Sequence, residues 1–365
     1  MTHLLARRGL FHATAGGLCL SALGPNALGG RAMAATPADW SLYRQRYVRA
    51  DGRVVDTGNG GASHSEGQGY GLLFAQAFND QPMFDTMAAW TCKVLKRNED
   101  ALHAWHYLPG SMPHVPDHNN ATDGDLLIAL ALTLAGRKWN RPDLTDAARA
   151  IYAALRGRIV AAIGGRKVLL PGLYGFSTPD AATVNLSYYV MPSLMAAAEL
   201  DDRETWLRVI RDGLALIHQA GFGRWNLPPD WIQVAAAGGA VSIARPQPPR
   251  FSFDAVRVPL YLQWAGLLDP GLRVVFRTYW NAWGAGTMPA WVNLRNGERS
   301  PYNAPPGFYA VGIASGLLNM PGTATVDFPA MAASPDYYSA SLTMLSSLVL
   351  DGMASEIVQH DGGMF

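Results

Sequence analysis

Cysteine is nearly absent from this 365-residue chain, which has two, Cys19 and Cys92. Charge is scarce as well: charged residues make up 16%, and 29 Lys+Arg against 28 Asp+Glu leave a formal net charge of +1. Two cysteines cannot build a disulfide framework, so a chain of this length must be held by its core. A nearly neutral surface offers no basic field for a phosphate backbone, which excludes a nucleic-acid partner. No Ser-, Gln- or charge-rich stretch divides the chain and no internal repeat is visible, so one domain is expected. The longest apolar run is broken by Gly, Pro25 and Asn26 well short of the roughly 20 residues a membrane span needs, and no stable membrane anchor is expected.

Apolar and aromatic residues are plentiful instead: 49% of the chain is hydrophobic, with 11 Trp, 14 Tyr and 12 Phe. So many indoles point to rings that meet a ligand, and sugar faces are one candidate. The chain opens on Arg7-Arg8, an apolar run from Gly9 to Leu28 and the small-residue triplet Ala32-Met33-Ala34. That is the pattern of an export leader, so residues 1–34 are expected to be a signal peptide and 35–365 a single domain that works in the periplasm or outside the cell. The twin arginine fits either common export route. Arg7, Arg8 and Arg31 leave with the leader, so 26 bases then face 28 acids. Cys92 remains, expected as a small buried hydrophobe.

From residue 38 onward the apolar spacing is mostly helical, as in Trp40, Tyr43 and Tyr47, in Tyr70, Phe74 and Phe78, and in Leu126, Leu127, Leu130 and Leu134. Further helices are predicted near 83–97, 142–162, 187–200, 203–220, 254–267, 270–284, 305–318 and 337–352, about eleven or twelve in all. Between them run irregular stretches at 98–121, 163–184, 221–252 and 285–305, long enough to be functional loops. Paired helices with loops at one end suit a toroid of inner and outer helices, and a general helical bundle fits the same spacing.

Three acidic motifs stand out. Ser63-His64-Ser65-Glu66-Gly67-Gln68-Gly69-Tyr70-Gly71 enters an apolar helix, and Ser63 with Glu66 has the spacing of a capping box. Its three glycines, costly in a helix, make sense where backbone approaches a ligand closely. Ala121-Thr122-Asp123-Gly124-Asp125 opens a second helix, with Thr122 as a natural N-cap and Asp125 favouring the dipole, while Asp123 points to another face. In Phe253-Asp254-Ala255-Val256-Arg257, Asp254 and Arg257 are spaced as a helix-face ion pair, or as a base kept ionised by its neighbour. His103, His106, His114 and His118 form the one histidine cluster, but Pro113 and Pro116 break any zinc-binding face, so no metal or other cofactor is expected. Gly61-Ala62-Ser63-His64-Ser65 lacks the closing glycine of a serine nucleophile elbow.

Together these motifs resemble glycoside hydrolase family 8, and within it most of all the endoglucanases that accompany bacterial cellulose synthesis. Ser65-Glu66-Gly67-Gln68, Ala121 to Asp125 with Ile128-Ala129 and Trp139, and Phe253 to Arg257 carry the likeness, joined by Asn185-Leu186-Ser187-Tyr188, Pro229-Asp230-Trp231 and Tyr337-Tyr338. The resemblance implies an all-α (α/α)6 toroid and an endo-β-1,4-glucanase that inverts anomeric configuration. It implies Glu66 as general acid, Asp254 as general base and Asp123 as the residue that positions the sugar. It implies Tyr188, Trp105, Trp231, Arg257, Asn185 and Gln68 as substrate-binding. β-1,4-Glucan oligosaccharides and a cellulose synthase complex are the implied partners, and xylan, chitosan or mixed-linkage glucan are alternative substrates. A helix N-terminus favours an ionised Glu66, so a like charge from Asp123 and desolvation under bound sugar are expected to keep it protonated. A noncatalytic glycan-binding protein and a toroidal lyase are the competing readings.

Overall fold

The computed structural model describes residues 35–284, 286–318 and 327–352, so the leader assigned to residues 1–34 lies outside it. Eleven α-helices fall among the described residues: α1 (Pro37–Tyr47), α2 (Ser65–Ala77), α3 (Gln81–Val94), α4 (Thr122–Lys138), α5 (Pro142–Arg158), α6 (Met191–Leu200), α7 (Arg203–Gln219), α8 (Val258–Trp264), α9 (Pro270–Trp280), α10 (Pro306–Ala314) and α11 (Tyr337–Leu350). They sort into two kinds. In α2, α4, α6, α8, α10 and α11 nearly every residue is buried, whereas α1, α3, α5, α7 and α9 bury one stripe. A helix apolar all round must be covered on every side, and a striped helix is the cover.

The packing follows: α2 lies on α4, α4 on α6, α6 on α8, α8 on α10, α10 on α11, and α11 returns to α2. That is a closed inner ring of six. The outer helices lie against it, α3 on α2, α5 on α4, α7 on α6 and α1 on α11, while α9 is tied to α10 by a bond from Trp280 Nε1 to the Phe308 carbonyl. The fold is the (α/α)6 toroid.

Most outer helices begin on side-chain caps. Thr36 and Asp39 form a reciprocal box at α1, and Asp80, Asp202 and Asp269 accept first-turn amides at α3, α7 and α9. On the inner ring only α11 is capped this way, by Asp336; α2, α4, α6, α8 and α10 start with no side-chain cap. Their first-turn N–H groups and positive dipole ends are left to other partners.

The glycines of the first two acidic motifs serve helix contact and not ligand approach, which corrects the sequence expectation. A Cβ at Gly124 would fall 2.1 Å from Ser65 Oγ, and one at Gly69 would fall 2.5 Å from Leu127 Cβ. Their absence lets α2 and α4 touch.

Most strands appear where the sequence reads as irregular, but the helix predicted to reach 162 ends at Arg158 and Val160–Ile163 is extended instead. β1 (Ser63–His64) pairs with β2 (His106–Tyr107), and β3 (Val160–Ile163) with β4 (Arg166–Leu169) around Gly164-Gly165, both at positive φ. β5 (Ala181–Val184), β6 (Ile232–Ala235) and β7 (Val241–Ile243) form a three-stranded antiparallel sheet, and β8 (Arg250–Phe251) pairs with β9 (Val292–Asn293). Runs this short carry too few alternations to show a period of two. The helices expected from 187 and 254 start later, after 3₁₀ turns at Leu186–Tyr188 and Ala255–Arg257, because Pro192 and Pro259 fix where the α-helices begin. Cys92 is exposed and not buried, since it lies on the outward face of α3. Among the described residues no helix is long and apolar enough to cross a membrane.

Candidate active site

The three acidic motifs converge at one end of the inner ring. Glu66 sits in the first turn of α2, Asp123 in the first turn of α4, Asp254 and Arg257 in the 3₁₀ turn before α8, and Ser187 and Tyr188 in the turn before α6. Tyr337 and Tyr338 open α11 beside them. Uncapped helix starts stabilise carboxylates placed there.

Two local expectations fail. Ser63 belongs to β1 and the cap position of α2 is His64, which makes no side-chain cap bond. Thr122 is the first helical residue rather than the cap, and its hydroxyl donates to the Leu170 carbonyl at 2.7 Å.

Arg257, 1% exposed, is the hub. Its Nη1 donates to Glu66 Oε1 and to Asp123 Oδ2 at 3.3 Å, and its Nη2 donates to Asp254 Oδ1 at 2.8 Å and Ser187 Oγ at 2.8 Å. The Asp254–Arg257 pair is therefore real, but it is not an exposed helix-face pair. Burial works against the Arg257 charge, yet the Glu66 carboxylate together with the Tyr70, Tyr338 and Tyr261 hydroxyls outweighs it and holds its pKa well above the ordinary value. The sequence expectation set Asp123 against Glu66 as a like charge; in the structure one guanidinium nitrogen serves both. Tyr70, whose hydroxyl meets that of Tyr261 at 3.0 Å, lines the same cluster, and burial drives its pKa well above the usual range.

Asp125 does more than favour a helix dipole. Its Oδ1 accepts from His103 N and pairs with His103 Nδ1, both at 2.9 Å, while Oδ2 accepts from Asn120 Nδ2 at 2.9 Å. It thereby pins both ends of the 103–120 segment, and burial raises its pKa. Asp125→Asn is expected to cost about 2–3 kcal/mol and not the modest loss a dipole contact implies, because one amide N–H would face Asn120 Nδ2. Asn120 cannot turn over to accept it, since its Oδ1 is taken by Leu173 N at 2.9 Å. Urea unfolding of both proteins checks this; equal midpoints would show that the pair can reorganise.

The predicted substrate-binding residues divide. Trp105 is half-buried, stacked on His64 at 6.0 Å and 16°, with its Nε1 donating to Asp117 Oδ2 at 2.8 Å, so one indole orientation is fixed. Trp231, 8% exposed, is sandwiched by Phe176 and Tyr188, and Tyr188 is 1% exposed with its ring facing Arg257. Asn185 is buried and its Oδ1 accepts from Ser187 N and Oγ, which aims the serine at Arg257. Gln68 is a correction. It is fully buried, and its amide is consumed by Val54 N, the Gly52 carbonyl and Thr91 Oγ1, so no surface remains for a sugar.

Among the described residues no group of three or more His, Cys, Asp or Glu is arranged to hold a metal ion. His103 is committed to Asp125, and His114 Nδ1 lies 3.2 Å from the Leu108 carbonyl. Sequence reasoning gave no role to Asp230, whose buried carboxylate reaches Ser252 and Ala255 on either side of Asp254. Nor did it foresee Ser187 on Arg257, or the Tyr338 hydroxyl donating to the Phe253 carbonyl. Their place in the family-like motifs Asn185-Leu186-Ser187-Tyr188, Pro229-Asp230-Trp231 and Tyr337-Tyr338 was the available signal.

A sequence model described as Glycosyl hydrolases family 8 matches residues 19–352. The chain is 49% identical over 311 residues to a probable endoglucanase of Novacetimonas hansenii, covering 85% of this chain and 90% of that protein. It is 40% identical over 276 residues to an endoglucanase of Cellulomonas uda, covering 74% and 75% respectively. The solved structure of the endo-beta-1,4-glucanase CMCax from Acetobacter xylinum superposes with a TM-score of 0.82 at 48% identity, covering 87% of this chain and 98% of that one.

Proposed function

The chain belongs to glycosyl hydrolase family 8, and on that premise we propose that it is an exported endo-β-1,4-glucanase that hydrolyses cellulose with inversion at the anomeric carbon. The observation that carries the mechanism is the distribution of three carboxylates over one buried guanidinium. Three acids on one cation leave the cluster short of positive charge, and uptake of a proton by one of them relieves it. Glu66 takes that proton and gives it to the glycosidic oxygen. Asp254, whose side chain keeps 14% exposure, is held on Arg257 Nη2 and takes a proton from the attacking water. Asp123, fully buried at the start of α4 and bonded to Arg257 Nη1, is the residue proposed to position the sugar at the cleavage point. Arg257 meets Glu66 and Asp254 on different prongs of its fork, and inversion in this proposal requires their carboxyl groups to stand roughly 6.5–9.5 Å apart, against roughly 5 Å in a retaining enzyme.

Residues 35–365 act as one catalytic domain in this proposal, delivered beyond the inner membrane by the leader, and its half-buried Trp105 supplies a stacking face for glucose. The endoglucanase relatives at 40–49% identity support cellulose over xylan or chitosan. Work beside a cellulose synthase complex is the setting proposed for it.

Release of reducing ends, measured across carboxymethylcellulose, xylan, chitosan and mixed-linkage glucan, tests the substrate: fastest release is expected from the cellulose derivative, and none from any of them would favour a noncatalytic glycan binder. Proton NMR of the first products tests the stereochemistry. The α-anomer is expected before mutarotation, and an initial β-anomer would make one of the acids a nucleophile.

A further inference from the structure

Asp230 is one of the few buried carboxylates without a cationic partner among its hydrogen bonds. At 8% exposure, its Oδ1 accepts from Ser252 N at 3.0 Å and from Ala255 N at 2.9 Å, and its Oδ2 is met by the Ser252 hydroxyl. Its own N–H donates to the Arg250 carbonyl at 2.7 Å. The residue between these anchors is completed from the opposite side, where the Tyr338 hydroxyl donates to the Phe253 carbonyl. Positions 252, 253 and 255 are thus each held, and the Asp254 side chain between them is met by Arg257 Nη2. Burial is costly for such a carboxylate, and with the Asp254 charge nearby it pushes the Asp230 pKa up to about 7. A fold needing only a filled space here would be better served by an apolar residue.

We infer that Asp230 is a positioning residue for the hydrolysis: it clamps the 252–255 turn from beneath and fixes the direction in which Asp254 meets the attacking water. This rests on the reading of Asp254 as general base. An acceptor oxygen is needed because two backbone amides of one turn, which no side-chain rotation can redirect, converge on Oδ1, while the Ser252 hydroxyl meets Oδ2. Asp254 acts on water and not on glucan, so loosening its turn should alter turnover and leave glucan binding alone.

The test is steady-state kinetics on a soluble cello-oligosaccharide with four variants, alongside thermal unfolding. Asp230→Ala should lower kcat about 100-fold, the scale of an ångström's misplacement of a reacting group, with KM within about threefold of the parent. Asp230→Asn keeps an oxygen for both amides and should recover most of the loss, to within about tenfold of the parent. Should the alanine variant not fold, Asp230→Glu takes its place: it keeps charge and acceptors but pushes the turn outward by a methylene, and kcat should again fall with KM unchanged. A folded alanine or glutamate variant with parental kcat overturns the clamp, as does a loss in Asp230→Asn as deep as in Asp230→Ala. Asp254→Asn separates the two readings. If it retains turnover, the assignment of the base fails; if it is inactive while Asp230→Ala is fully active, only the clamp fails.

Discussion

Glu66→Gln is expected to lower kcat on carboxymethylcellulose about a thousandfold, the scale of a lost general acid, while far-UV circular dichroism and the thermal midpoint stay near those of the parent. The amide keeps the shape of the side chain and an oxygen for Arg257 Nη1, so the buried contact across α2 and α8 persists. It has no acidic proton, so the leaving sugar would depart as an alkoxide. KM should move little, because the glycosidic oxygen contributes one contact among many along a glucan. A folded Glu66→Gln protein with near-parental turnover would remove Glu66 from the mechanism, and Asp123 would be the acid to examine next.

The second large effect is at Arg257. Replacing it with Met, which has similar length and no charge, strands Glu66, Asp123 and Asp254 without their shared cation. Breaking a buried ion pair from one side costs about 3–5 kcal/mol, and activity should vanish with it. The deficit should depend on pH in a definite direction. Stranded carboxylates bind protons more tightly in the folded than in the unfolded variant, so lowering the pH stabilises the folded form relative to its state at neutrality. Urea unfolding of Arg257→Met and parent at about pH 7 and about pH 5 should therefore show a smaller gap at the lower pH. A gap under about 1 kcal/mol at pH 7 would mean that water enters and replaces the guanidinium. Arg257→Lys should not rescue, since one ammonium cannot span two prongs.

How much of this was legible in the sequence depends on distance along the chain. The stripe of Trp206, Val209, Ile210, Leu216 and Ile217 on α7 and the unbroken apolar face of α4 are local patterns, and they give helices where helices occur. The acids were legible because each lies in a compact motif. Their joint dependence on Arg257 was not, because Arg257 is 191 residues from Glu66 and 134 from Asp123, and nothing in either motif encodes the other. Local rules also misled. Ser63 and Glu66 have capping-box spacing, but strand pairing of Ser63 with Tyr107 takes the serine away from the helix. Gln68 stands beside the acid and so reads as a sugar ligand, yet the amide and carbonyl of Val54 and Gly52 claim it first. The two- to four-residue strands leave no periodic trace at all.

The return of α11 onto α2 has a consequence for how the enzyme comes into being. Tyr43 and Ser341, from the first and last described helices, meet hydroxyl to hydroxyl at 2.9 Å, and the Tyr337 hydroxyl lies where a Cβ on Gly67, next to Glu66, would fall. A nascent chain can stack helices neighbour on neighbour as they emerge, but it cannot bring these surfaces together until nearly the whole polypeptide exists. Joining positions 298 residues apart, as Tyr43 and Ser341 are, costs about 5 kcal/mol of loop entropy unless the intervening helices have already curled into an arc that presents its two ends to each other. Closure is thus favoured once the arc exists, and the contacts beside Glu66 wait on it. A polypeptide that stalls before its final helix carries all three acids and has nowhere to use them.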